Sequence, residues 1–180
     1  MFNQLRVLAL STVLLNVNLA QAQEEEKPAA NYSAATADIG IVVKDLEKSV
    51  KFYTEVLAMK EVKGFNVPAE KATRFGLTDN QPATIRVFVL DEAKGPKTKF
   101  KLMSFPQAPG KMQDQKFIHS TVGVSYLTLF VTDMDQTLER LKKCKVKLLG
   151  ETPSDLGGKT FITVFQDPDG NFIELIGPMK

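Results

Sequence analysis

The apolar positions of this chain fall into two runs with the same rhythm. Residues 39–43 (IGIVV) are almost wholly apolar and rich in β-branched side chains, which predicts a buried strand. Asp45 is placed to cap a helix in which Leu46, Val50, Phe52, Tyr53, Val56 and Leu57 recur at helical spacing. Residues 59–65, 85–90 and 99–105 predict three further strands. Between them, 68–80 reads as irregular or briefly helical around the breakers Gly76, Asp79 and Asn80, and KGPK at 94–97 as a turn. The sum over residues 38–105 is one βαβββ unit.

The rhythm then returns. A connector over 106–121, with two prolines and one glycine, has a second part that predicts helix. Strand 125–131, an amphipathic helix over 133–143 with Met134, Leu138 and Leu141 inward, and strands at 146–149, 160–166 and 171–177 complete a second βαβββ unit over 125–178. IGIVVKDLEKSVKFY from Ile39 lies over LTLFVTDMDQTLERL from Leu127 in strand, cap and helix phase, an internal repeat that points to duplicated architecture. The last two strands flank DPDG (Asp167, Pro168, Asp169, Gly170), whose residue types favour a tight turn. One unit alone leaves an unfinished sheet with a bare face, so the pattern predicts an α+β fold in which two βαβββ modules close around a shared cavity.

Composition narrows the function. The 180 residues are 43% hydrophobic, enough for one domain with a sizeable core over 38–178. Lys+Arg 23 against Asp+Glu 21 leaves a formal charge of +2, and no strongly basic block stands out, which argues against nucleic acid as a partner. Arg6, the apolar run 7–19 and the small-x-small Ala20, Gln21, Ala22 read as a secretory signal over 1–22. The run is shorter than the ~20 residues a spanning helix needs. The expectation is an exported protein, periplasmic or extracellular, with no stable membrane insertion after cleavage and a polar linker over 23–37. Cys144 is the one cysteine, so packing rather than an intramolecular disulfide must hold the fold.

IVVKDLEKSVKFYTEVLAMK from Ile41, followed by QDPDGNFIEL from Gln166, resembles the vicinal-oxygen-chelate superfamily, which includes glyoxalase I, extradiol dioxygenases and bleomycin-resistance proteins. The resemblance covers about 38–178. It implies paired βαβββ modules whose strands curve into a half-barrel around the shared cavity, frequent dimers, and, in metal-using members, ligands at the first strand and in the last strand of each module. At those positions this chain carries Asp38, Lys101, Tyr126 and Glu174, of which Glu174 alone keeps the ligand the resemblance implies. A divalent cation needs about three protein ligands with free lone pairs. A protonated Lys101 has none, and Tyr126 is a poor ligand near neutral pH. The expectation is therefore no metal and no other cofactor, a divalent metal being the alternative.

On the geometry the resemblance implies, the same four residues suggest a network in which the Lys101 ammonium stands between Asp38 and Glu174 in place of the cation and the Tyr126 hydroxyl completes it, since buried charge must be paired. The other reading places them at solvated strand ends with no joint role. Arg86, a charge in the apolar TIRVFVL, is a candidate for an anionic ligand group, or faces solvent from the outer side of the sheet. Arg74 and His119, the single histidine, are weaker candidates. No GxGxxG, GxxxxGK[ST], HExxH or GxSxG is present. The function expected is binding of a small organic molecule between the modules, with Asp38, Lys101, Tyr126, Glu174 and Arg86 as contacts. The alternative is a glyoxalase-like lyase or isomerase, metal-dependent or with Glu174 as general base.

Overall fold

Aspartates open the principal helices, and alternating apolar and polar side chains set the strands. The structure, a computed structural model, describes residues 31–91 and 97–180. Its first module runs β1 (Asp38–Val42), α1 (Leu46–Lys51), β2 (Lys60–Val67), α2 (Ala69–Arg74), β3 (Ala83–Val89) and β4 (Lys99–Met103). The second runs β5 (Tyr126–Phe130), α3 (Met134–Lys143), β6 (Ser154–Gly157), β7 (Thr160–Gln166) and β8 (Phe172–Pro178). Asp45, in extended backbone, accepts from Lys48 N at 3.0 Å, and Asp133 accepts from Gln136 N at 3.0 Å. Each thereby satisfies a backbone donor that has no partner inside the helix. A π-type turn over Phe52–Val56 extends α1.

Each module builds one four-stranded sheet, in the orders β1-β4-β3-β2 and β5-β8-β7-β6. The first strand runs parallel to the last, as β1 with β4 and β5 with β8, while the remaining pairs are antiparallel. The two sheets and their helices have the α+β, paired βαβββ architecture expected from the repeat.

The helix-bearing faces of both sheets share one core. It contains Tyr53, Phe88, Phe100 and Leu102 from the first module and Met134, Phe165, Ile173 and Leu175 from the second, all 2% exposed or less. Burying an apolar side chain of this size contributes about 1.5–3 kcal/mol. Two glycines mark close approaches. A Cβ on Gly64, at the register shift in β2, would lie 2.2 Å from the Ile85 carbonyl oxygen, and one on Gly177 would lie 2.2 Å from that of Val131.

Two expected elements differ. Residues 146–149 form no strand and contribute only a single bridge from Leu148 to Phe165; the strand beside β7 is instead β6, SDLG. Gly157, Gly158 and Lys159 all take positive φ (93°, 62° and 65°) and fold β6 back on β7. An edge hairpin of this kind pairs through backbone groups, so its polar sequence carries little apolar signal. The second part of the connector is not helical but a series of turns. There Thr121 Oγ1 donates to Asp114 O at 2.8 Å and Phe117 N donates to Ser120 Oγ at 3.1 Å, local bonds that compete with a helix. The signal segment, most of the polar linker and most of the 94–97 turn lie outside the described residues.

Candidate functional site

Strand parity assigns the site residues to faces. In β1, Ile39 and Ile41 pack on the core, so Asp38, Gly40 and Val42 face the other way. In β4, Phe100 and Leu102 are core, so Lys99, Lys101 and Met103 share that open face, with Lys101 registered beside Gly40 and Val87. Across it Lys101 Nζ reaches Asp38 Oδ2 at 2.7 Å and stands 5.8 Å from the centre of the Phe65 ring. The hydrogen bond from Lys101 holds the Asp38 carboxyl below its ordinary range. Around the pair the face is apolar, with Ala83, Ile85 and Val87 packed against Val62, Val67, Met103 and Phe105. A recess of about 560 Å³ opens beside it, lined in part by Asp38, Val62, Val89, Lys97 and Lys99.

The second sheet repeats the parity. Leu127 and Leu129 pack on the core, so Tyr126, Thr128 and Phe130 face outward, and Glu174 lies between the core residues Ile173 and Leu175 on that same open face. Thr128 is the register partner of Glu174, and its Oγ1 donates to Glu174 Oε2 at 2.7 Å. Phe130 is 79% exposed and Tyr126 47%.

The four residues thus form two separate sites and not one network. Asp38 and Lys101 meet on the first sheet, as the sequence suggested. Glu174 bonds Thr128 and makes no ion pair with Lys101 among the described residues, where the Tyr126 hydroxyl also has no hydrogen bond. The physical reason is that Tyr126 and Glu174 belong to the other sheet, whose own neighbour satisfies the carboxylate. Thr128 escaped the sequence reading, although its alternation with Leu127 and Leu129 already places it beside Tyr126.

Arg86 is a second correction. Its register partner is Leu102, a core residue, so it projects from the helix-bearing face and not the open one. Its guanidinium pairs with Glu61, including Nη2 to Oε2 at 2.7 Å, and with Glu47 Oε1 at 3.1 Å, tying the first turn of α1 to β2 and β3. Its hydrogen bond holds the Glu61 carboxyl below its usual range. Arg74 is exposed on α2. His119 is exposed and stacks on Phe117, with ring centres 5.5 Å apart and planes 2° from parallel.

Beneath these faces the DPDG turn of the second module locks onto α1. Asp167 is buried and accepts from Asp169 N, Asn171 N and Asn171 Nδ2, each at 2.9 Å, and from the Tyr53 hydroxyl at 3.1 Å. Burial outweighs these bonds and raises the Asp167 carboxyl above its ordinary value. Burial and the neighbouring carboxylates push the Tyr53 phenol upward, so it remains a donor. Asp169 accepts from Lys44 N at 3.0 Å and from Ser49 Oγ at 3.2 Å.

The two carboxylates at the positions the resemblance assigns to metal ligands, Asp38 and Glu174, lie on different sheets. Among the described residues no three His, Cys, Asp or Glu side chains gather at one point. The cation-equivalent place beside Asp38 is taken by an ammonium, which has no lone pair to offer and repels a second cation.

Comparison with known proteins agrees with this architecture. The description of the Glyoxalase/Bleomycin resistance protein/Dioxygenase superfamily matches residues 35–175. A probable chloroplastic lactoylglutathione lyase of Arabidopsis thaliana is 29% identical over 134 residues, which cover 74% of this chain and 33% of the plant protein. The chain therefore spans about a third of that relative's length. A glyoxalase family protein of Bacillus cereus superposes with a TM-score of 0.69 at 20% identity, covering 85% of this chain and all of the other. A fosfomycin resistance protein of Listeria monocytogenes gives a TM-score of 0.52 at 17% identity, with 78% and 89% covered. An antibiotic-binding protein of Streptomyces also gives 0.52, at 22% identity with 81% and 96% covered. At these identities the structural likenesses establish the fold.

Proposed function

The chain belongs to the Glyoxalase/Bleomycin resistance protein/Dioxygenase superfamily, and from that premise we propose that it is an exported member that binds a small organic molecule on its open sheet faces without a metal. The observation that carries this reading is the Lys101–Asp38 pair. It fills the ligand-equivalent position with a fixed protein cation, set in an apolar surface with a recess of about 560 Å³ beside it. Ala34, Val62 and Val89 line the recess beside the polar Thr36, Asp38, Lys97 and Lys99, and pockets that hold organic ligands use placed polar groups of this kind against apolar walls. The Listeria and Streptomyces neighbours, a fosfomycin resistance protein and an antibiotic-binding protein, accord with it. Exposed Val42 on one open face and Tyr126 and Phe130 on the other accord with pairing of two chains.

The test is elemental analysis of the purified protein, then titration with bleomycin and fosfomycin with and without Ni²⁺, Zn²⁺ or Fe²⁺. Saturable binding to metal-free protein, weakened by Lys101→Met, is expected. Stoichiometric tight metal accompanied by turnover overturns the reading.

A second reading is favoured by one observation, the Thr128–Glu174 pair at 2.7 Å. A positioned carboxylate on an open face is suited to proton abstraction next to a carbonyl, and the Arabidopsis relative is named as a lyase. Turnover of the methylglyoxal–glutathione adduct that Glu174→Gln abolishes would establish it.

A further inference from the structure

A cleft of about 750 Å³ lies away from the open faces, between α1 with its π-type turn on one side and α3 on the other. Phe52, Val56 and Pro168 give it an apolar lining. Four cations, Lys48, Lys51, Arg140 and Lys143, line it against one acid, Glu55. Lys51 and Glu55 stand 4.0 Å apart and both are well exposed, so Glu55 offsets at most part of this charge. Arg140 is anchored by one nitrogen only: Nε donates to Val56 O at 2.9 Å. Its two Nη groups have no hydrogen bond or ion pair among the described residues. A guanidinium held in this way presents its fork to a carboxylate or phosphate, and the lysines raise the local positive potential.

We propose that this cleft is a second binding site, for an organic anion that carries a phosphate or carboxylate group on an aromatic or apolar body. The anionic head meets Arg140, Lys143 and Lys51, and the body lies against Phe52 and Pro168. Neither reading of the open faces uses any of these side chains. The head group has two possible sources, a soluble ester or a lipid headgroup, and both present the same chemistry to Arg140.

The chain supplies its own reporter, because its single cysteine, Cys144, lines the cleft. The rate of Cys144 alkylation by neutral N-ethylmaleimide is followed with phenyl phosphate, inorganic phosphate or phenol present. Saturable protection by phenyl phosphate, weaker protection by inorganic phosphate and none by phenol is expected. Arg140→Gln should weaken the phenyl phosphate affinity about tenfold, the loss of one charge-assisted pair at ~1.4 kcal/mol per decade. Lys143→Gln, on an exposed side chain, should weaken it without touching the bond to Val56. Protection by phosphatidylglycerol vesicles but not phosphatidylcholine vesicles, in addition to that by phenyl phosphate, assigns the head group to a lipid. Protection by phenyl phosphate alone assigns it to a soluble ester. Alkylation rates unchanged by phenyl phosphate, or equal affinity in wild type and both variants, overturn the proposal.

Discussion

Replacing Tyr53 by Phe removes one hydroxyl from a side chain with no solvent exposure and leaves the ring in the core. The lost bond is the 3.1 Å contact to Asp167 Oδ2. Hydrogen bonds to charged groups are worth about 1.5–3 kcal/mol, and because Asn171 Nδ2 still reaches the same oxygen at 2.9 Å, the lower part of that range applies, about 2 kcal/mol. For a domain of this size, 1 kcal/mol moves the midpoint by about 2–4 °C, so Tm should fall by about 4–8 °C.

The pH dependence sharpens the prediction. Asp167 has a folded pKa above its ordinary 3.8, so across that window the native state binds more protons than the unfolded state and wild-type stability falls as pH rises. The Tyr53 bond favours the ionised carboxyl, and its removal raises the folded pKa further. The cost of Tyr53→Phe is therefore largest above the folded pKa, where Asp167 is ionised. It shrinks to about 0.5–1.5 kcal/mol, the worth of a neutral bond, as pH falls through that value. Urea unfolding of both proteins at pH 7 and below pH 4 measures this. A cost below about 0.5 kcal/mol at pH 7, or one equal at both pH values, refutes the reasoning.

Other contacts give their own expected outcomes. Gly64→Ala should destabilise by about 2–3 kcal/mol, read by urea unfolding, because the new Cβ would stand 2.2 Å from the Ile85 carbonyl oxygen and β2 must move off β3. Asp45→Ala should cost about 1 kcal/mol by removing the cap on Lys48 N, with the loss visible in thermal unfolding. Arg86→Leu unties Glu47 and Glu61, an exposed network worth about 1 kcal/mol or less, and should leave binding of any open-face ligand unchanged. The Lys101–Asp38 pair is present above the ordinary carboxylate range and is lost as pH falls through the lowered Asp38 value. Ligand affinity that depends on the pair should therefore hold constant from pH 5 to 8 and fall off only in stronger acid.

The repeat, the helix phases and the caps were legible because each rests on local spacing. Asp45 and Asp133 open helices where the apolar rhythm changes period, and DPDG turns where its residue types demand. The pairing of Asp38 with Lys101 was also legible, since the resemblance places both at ligand-equivalent positions, one in the first and one in the last strand of the same module, and these two strands lie side by side. Arg86 was not, because both faces of β3 carry apolar neighbours and only its register with Leu102 selects a face. β6 escaped notice because SDLG pairs through its backbone. The separation of Glu174 from Lys101 lies deeper, for no spacing along the chain states which sheet faces meet.

Tyr53, Phe88 and Leu102 pack into the same core as Met134, Phe165 and Leu175. What reads as two copies of one unit is therefore a single folding unit, since neither copy encloses its own interior. Amide protons of β4 and β8 should exchange through the same global opening, and unfolding should pass in one transition without a half-folded plateau. A chain cut within the connector should yield two pieces that acquire structure only in each other's presence.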